Sequence, residues 1–459
     1  MTRQRPPSDF RGGTALHDSI AAPRPSLRDR DAIAITVGIV LGAGIFRTPS
    51  LVAGGVSDGV ALMLVWAAGA LIAFIGALCY AELASAHPDA GGDYHFLRRA
   101  FGERLAFLYA WARLAVIQTG SVAVLAFVFG DYLSQLLPLG SASSALYAAL
   151  AVVAITAVNW IGVRQGARAQ NWLTLIEVSG LILVIAAGLL FAPEAAPAAP
   201  ASAQESLLGL VMVFVLLTYG GWNEAAYVSA ELRGGTRSIP RVLFLSLLAL
   251  AVLYLLANLA YLRALGLPGM AGSQAVAADV MRAAFGPSGG ALIAVAVAVA
   301  ALTSANATVI TGARSAYALG RDVPALGALG RWHGPSGSPR NALVTQGIIA
   351  LLLIIAGGFA RDGFRLAVDY TLPVFWFFFL LVGVSLFVLR RREPDAPRPF
   401  RVPLYPLTPL LFCAVNAYLL WSSLAYTGWG ALVGVLVVAV GGVLLLYLRT
   451  RSPAPEVSR

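Results

Sequence analysis

Two glycine-bearing stretches give this chain of 459 residues a chemistry made of backbone rather than side chains. One is Gly42-Ala43-Gly44-Ile45-Phe46, the other Tyr219-Gly220-Gly221-Trp222-Asn223, and each interrupts a long apolar run. Glycine lacks a Cβ and tolerates unwound backbone. Unwound backbone at mid-bilayer exposes N–H and C=O groups that must find partners. Past the first break, the N–H groups of Ala43, Gly44 and Ile45 open a half-helix whose positive dipole end suits a carboxylate. Ahead of it, carbonyls near Val40 and Leu41 suit an ammonium group, as do those near Leu216 and Tyr219 at the second break. Together they would hold both charges of an α-amino acid without a charged side chain. A third feature is a carboxyl, Glu177, inside another apolar run. An ionisable group at membrane depth is a functional candidate. Glu177 is expected to bind a proton, or as second choice a cation, the alternative being a neutral acid or a pair with Arg164.

The elements that must carry these groups are membrane helices. Twelve apolar segments are long enough to cross a bilayer: 32–55, 60–84, 104–136, 144–162, 170–192, 207–231, 241–265, 288–319, 342–359, 366–389, 404–425 and 428–449. The breaks fall in the first and sixth, five segments apart. Five is odd, so two tandem five-helix units would point in opposite directions across the membrane. Interrupted helices at matching positions of inverted halves mark a transporter's binding site. The expected fold is an all-α membrane protein of twelve transmembrane helices. Two inverted five-helix repeats, 31–192 and 206–390, form a 5+5 core, and two further helices occupy 403–449. Residues 1–30 read as a disordered tail and 450–459 as a short C-terminal one. A short helix outside the membrane is expected at 271–285.

Composition excludes other classes. The chain is 59% hydrophobic and 12% charged, about half the charge of a soluble domain. Its isoelectric point near 9.9 does not indicate a nucleic-acid surface, because the 32 basic residues are all arginine and cluster in alternate short loops. That bias places both termini in the cytoplasm. The two cysteines, Cys79 and Cys413, lie in apolar runs, and no metal-ligand spacing exists. The chain carries no P-loop and no HExxH, GxSxG or paired Asp at mid-span, so neither an enzyme nor an ATP-driven pump is expected; no cofactor or metal is implied. Arg113 is expected at an inner helix end, snorkelling, and Arg47 outside the first break. Glu82 and Glu231 close the second and sixth segments. An inner-gate ion pair with Arg233, Arg241 or Arg314 would fit them. Asn306 and Thr308 read as inter-helix glue, Trp421 and Trp429 as interfacial anchors.

Seven blocks in order carry a resemblance. They are GAGIFRTP at 42–49, PDAGGDYHFLRRAFG at 88–102, Trp111 through Tyr132-Leu133 with Gly120-Ser121 between, and TYGGWN at 218–223 followed by EL at 231–232 and IP at 239–240. SQAVAADV at 273–280, SANATVITGAR at 304–314 and LRRREPDAPRPFRVPL at 389–404 complete the set. The chain resembles the amino acid/polyamine/organocation superfamily, most closely prokaryotic members of its L-type amino acid transporter branch. The resemblance implies alternating access, with substrate between helices one, three, six, eight and ten. It places Gly42, Ala43 and Gly44 on the carboxylate and the Leu216 and Tyr219 backbone on the amine. Trp222 and Asn223, beside Gly221, would shape the pocket, and Leu217 would stand near the outer gate. Gln118, Thr119 and Ser121 would come from helix three, and Phe377, or second its neighbour Trp376, from helix ten.

Two departures stand out. No Cys occupies 137–143, where eukaryotic relatives bond an accessory glycoprotein, so no disulfide-linked subunit is expected. In the block Gln170-Asn171-Trp172-Leu173-Thr174-Leu175-Ile176-Glu177, Glu177 replaces the Lys of many relatives. In those relatives the ammonium sits where sodium binds in sodium-coupled transporters, here next to Ser304. The expected activity is secondary transport of neutral L-amino acids across a bacterial cytoplasmic membrane, as exchanger or proton symporter. A cationic amino acid or polyamine antiporter is the second reading.

Overall fold

The computed structural model describes residues 23–42, 44–140, 142–195, 208–273, 275–358, 363–427 and 431–451. All regular elements among them are helices. In chain order these are α1 (Asp29–Leu41), α2 (Gly44–Ala53), α3 (Gly59–Ala86), α4 (Asp93–Phe101), α5 (Glu103–Ala112), α6 (Gln118–Leu136), α7 (Ser143–Ile161) and α8 (Val163–Ala186). There follow α9 (Leu208–Thr218), α10 (Ser238–Gly272), α11 (Val276–Phe285), α12 (Pro287–Asp322), α13 (Arg340–Gly358), α14 (Gly363–Arg392), α15 (Leu407–Thr427) and α16 (Ala431–Arg451).

Among the described residues nine helices are long and apolar enough to cross a membrane, ten if α1 and α2, bent by 42°, count as one span. The twelve expected segments thus do not all reappear as single spanning helices. The sixth, 207–231, is broken: α9 ends at Thr218, and beyond the glycines the chain runs as a 3₁₀ helix, Trp222–Glu231. Ten residues is long for a 3₁₀ stretch, a form that in such positions marks hinges or strain. The third segment carries a π-helical turn at Arg113–Ile117 between α5 and α6. In the last segment the apolar stretch is short, Gly434–Tyr447. The expected short helix at 271–285 is α11, and α10 bends at Gly266 before reaching it. The tails 1–22 and 452–459, part of the 193–206 loop, and Trp429 lie outside the described residues.

The helix α12 forms the centre. It is 36 residues long and rich in Ala, Ser, Thr and Gly, which let neighbouring backbones approach closely. It packs against α1, α6, α8 and α13. A polar ladder crosses this core. Asn159 of α7 donates to Asn306 (2.7 Å), Asn306 to Gln170 of α8 (2.8 Å), and Thr174 to the Ala34 carbonyl of α1 (3.0 Å). Asn306 is therefore inter-helix glue, as its type and position suggested.

Candidate functional site at the two helix breaks

The two breaks touch. The helix α1 packs on the 3₁₀ helix beyond the second break, and α2 packs on α9 ahead of it. At the contacts, a Cβ on Gly221 would overlap the Ile39 side chain, and one on Gly44 would lie 3.2 Å from the Thr218 methyl. Gly221 has φ 103° and Gly42, which ends α1, has φ 22°. These are left-handed values that favour glycine. The first N–H groups of α2, from Gly44 and Ile45, have no partner within their own helix. Ala43 lies outside the described residues.

A residue that sequence reasoning missed clasps the two breaks. The Tyr254 hydroxyl of α10 lies 2.7 Å from the Val40 carbonyl and 3.2 Å from that of Thr218, sharing one proton between carbonyls of the last turns of α1 and α9. Val40, expected to face an ammonium group, is thus already engaged. Tyr254 resembled ordinary core in an apolar run. Tyr254→Phe keeps the packing but leaves two buried carbonyls without a donor, at about 1–3 kcal/mol each. The variant is expected to unfold at visibly lower temperature in detergent; an unchanged melting curve would mean water replaces the hydroxyl.

Other expected site residues are placed as follows. Leu216 and Tyr219 are buried, and the Tyr219 ring packs between Trp66 and Tyr254, with centroids 5.9 and 4.9 Å away. Trp222 is buried against Tyr80, Phe379 and Phe412. Leu217 and Phe377 are each 42% exposed, whereas Trp376 is buried. Gln118 spends its amide on α12, donating to the Thr308 carbonyl (3.1 Å) and the Thr311 hydroxyl (3.0 Å). Thr119 and Ser121 donate to the Leu114 and Ile117 carbonyls. Gln118 thus ties α6 to α12, while Thr119 and Ser121 bond back to their own segment.

Arg113 corrects its expectation. It does not snorkel; it is buried, bonded to Glu224 of the 3₁₀ helix at 2.5 Å, with its guanidinium 4.0 Å from the Tyr227 ring centroid. The Tyr109 hydroxyl joins Tyr227 and donates to Asp93 of α4 at 3.1 Å, and Asn223 reaches the same carboxyl at 3.5 Å. Burial raises the Asp93 carboxyl to about 6, against the pull of Arg113. The cluster ties the chain just past the second break to α4 and α5. Asp93 lies inside the block at 88–102 and Glu224 directly after TYGGWN, and neither acid stands out there by sequence alone.

Ser304 flanks the first break, and Glu177 is buried on α8, which packs against α1 and α12. Ser304 donates to the Gly38 carbonyl (2.7 Å). Glu177 is 1% exposed and neither oxygen has a partner. It makes no ion pair with Arg164, so the ion-pair alternative falls and the neutral acid stays open. The Thr303 hydroxyl faces it but donates to the Val299 carbonyl.

At the arginine-rich end, ion pairs and backbone bonds tie separate elements together. Arg314 holds Glu231 through two buried bonds, one of 2.8 Å; of the three arginines expected near Glu231, Arg314 is the partner. Leu27 pairs with the chain after it, through Leu27 N–H to Glu231 (2.9 Å) and Arg233 N–H to Leu27 (2.9 Å). Glu82 binds Arg390 (2.5 Å). Cys79 is buried in α3 and Cys413 lies in α15, and both are free thiols.

Residues 30–445 match the family described as amino acid permease. The b(0,+)-type amino acid transporter 1 of Mus musculus is 30% identical over 427 residues, 91% of this chain and 86% of that protein. The Large neutral amino acids transporter small subunit 2 of Homo sapiens is 31% identical over 452 residues, 95% and 81% of the two chains.

Proposed function

From its membership of the amino acid permease family, which makes the chain an amino acid transporter and not an enzyme, we propose that it carries neutral L-amino acids by alternating access. The observation that carries this reading is the crossing of the two breaks, each meeting the other's opposite arm, with α1 against the 3₁₀ helix and α2 against α9. Two inverted five-helix units, completed by two C-terminal helices to twelve spans, would produce that crossing. The free N–H groups at Gly44 and Ile45 would take the substrate carboxylate. Carbonyls at the α9 end would take its amine once Tyr254 yields or shares them. The seal at Glu231–Arg314 and Leu27 makes this conformation closed toward the arginine-rich end, which the loop bias assigns to the cytoplasm of a bacterial inner membrane.

Neutral substrates suit the charge arrangement, since Glu224 is already neutralised by Arg113. The likeness to the Large neutral amino acids transporter small subunit 2 supports the same class. With both thiols inside helices, the chain would act without a disulfide-linked partner. The test is uptake into proteoliposomes of each of the twenty amino acids, with and without amino acid inside and with and without a pH gradient. Uptake or exchange of large or small apolar amino acids is expected. A preference for arginine, lysine or polyamines would establish the cationic antiporter instead, and no transport of any amino acid would defeat both.

Glu177 is assigned the coupling proton. It has no cation beside it, and the committed Thr303 hydroxyl leaves only lone pairs toward it, an arrangement that suits the protonated acid. Native uptake is expected to rise several-fold with an inward proton gradient and to ignore sodium. In Glu177→Gln, a neutral mimic, that dependence should vanish while exchange survives. Identical pH profiles for native protein and variant would remove Glu177 from coupling.

A further inference from the structure

At the arginine-rich end a cavity of about 310 Å³ opens between the start of α1 and the start of α8. Five arginines line it: Arg28, Arg30, Arg164, Arg168 and Arg233. The one acid is Asp31, and its carboxylate is taken: the Arg28 N–H donates to it at 2.9 Å, the Asn171 amide at 2.8 Å, and Arg30 stands at 3.8 Å. Arg164 and Arg168 have no ion-pair partner among the described residues. Several other arginines at this end are matched, Arg98 with Asp322, Arg99 with Glu393, Arg314 with Glu231 and Arg390 with Glu82, whereas five guanidinium groups share this one cavity with a single acid. An unbalanced group of guanidinium ions facing one concave space attracts an anion with planar, forked recognition, above all a phosphate.

The surroundings say which phosphate. Arg164 and Arg168 are four residues apart and share one face of α8. One residue past Asn171, the same helix turns apolar side chains outward: Trp172 is 67% exposed, with Leu175 and Ile176 exposed beyond it. A basic cavity thus passes directly into a bare apolar helix flank. A phospholipid matches both parts, its headgroup among the arginines and an acyl chain along α8; a free phosphate matches only the first. Basic pockets between membrane helices at this leaflet are a known chemistry for anionic headgroups.

We propose that this cavity is a binding site for the headgroup phosphate of an anionic phospholipid. The occupant would also bridge moving parts. Arg28 belongs to the N-terminal strap that Leu27 fastens to the end of the 3₁₀ helix and Arg30 to the first turn of α1, while Arg164 and Arg168 belong to α8. A headgroup between them fastens the strap to α8 and favours the closed end.

The test needs no transport activity, so it stands apart from the substrate reading. Purified protein in neutral detergent is titrated with phosphatidylglycerol, with phosphatidylcholine, or with inorganic phosphate. Lipid retained in native mass spectrometry and the melting temperature are recorded. Phosphatidylglycerol should be retained and raise the melting temperature; phosphatidylcholine should do neither. Arg164→Gln with Arg168→Gln should weaken half-saturation by roughly 30-fold, about five-fold per arginine. Arg237→Gln with Arg241→Gln, an equal loss of charge outside the cavity, should change it less than two-fold. If the first pair does not fold, the single variants each carry the five-fold expectation. Equal weakening by both pairs would reduce the effect to the general positive face and overturn the site. A response to inorganic phosphate as large as that to phosphatidylglycerol would overturn the lipid assignment.

Discussion

Arg113→Met is expected to destabilise the protein by about 3–5 kcal/mol, because it strands two carboxyls in a dry interior. The guanidinium is buried, bonds Glu224 at 2.5 Å and lies 4.0 Å from the Tyr227 ring centroid. Its removal leaves Glu224 uncompensated, and Asp93 loses the nearest positive field holding its carboxyl down. Two further measurements separate this cause from lost packing. The double variant Arg113→Met with Glu224→Met removes both charges and should cost clearly less than Arg113→Met alone, since breaking a buried pair costs more than replacing it. Acid should also help the single variant. The folded Asp93 carboxyl stands near 6, above its ordinary value of 3.8, so the folded state binds more protons than the unfolded one between those values. This group therefore adds stability as pH falls through that window and loses it as pH rises. With Arg113 gone, melting temperatures at pH 5 and 7.5 should diverge more than in the native protein. A loss equal at both pH values, and equal in single and double variants, would make the arginine a packing element only.

What was legible in the sequence was whatever repeats or interrupts a pattern. The apolar runs announced the helices, and the two glycine pairs announced where helices stop. The α11 helix and the Glu231–Arg314 pair were visible because charge and loop length are local properties. Arg113 was misread because hydropathy says how deep a residue lies but not what faces it. Its partner is 111 residues away, on a 3₁₀ stretch whose register no helical wheel gives. Tyr254 was missed for the same reason, since a hydroxyl in an apolar run becomes meaningful only when two foreign carbonyls stand beside it. Gln118, Thr119 and Ser121 show the converse. Polar residues on the expected helix looked like ligands, yet each hydrogen-bonds protein groups here. The resemblance supplied their helix, and only packing decides their facing.

Gly221→Ala is expected to abolish transport while leaving a protein that inserts and folds. Two costs act together. At φ 103° an L-residue with a Cβ is strained by about 1–2 kcal/mol. The new methyl would also overlap the Ile39 Cγ2, and Ile39, β-branched and helical, has one strongly preferred χ1 and cannot swing aside. Overpacking of that kind costs about 1–3 kcal/mol. The strain falls where α1 meets the 3₁₀ helix, so relaxation would pull the two breaks apart and misplace the N–H groups of α2 relative to the carbonyls of α9. Misplacement by about 1 Å is enough to cost two orders of magnitude in processes that depend on alignment. The two costs separate in the double variant Gly221→Ala with Ile39→Ala, which removes the overlap but keeps the backbone strain. It should recover part of the uptake rate, and Ile39→Ala alone should remain active. If Gly221→Ala transports at the native rate, the contact between the breaks is incidental, and the substrate must be held elsewhere than at their crossing.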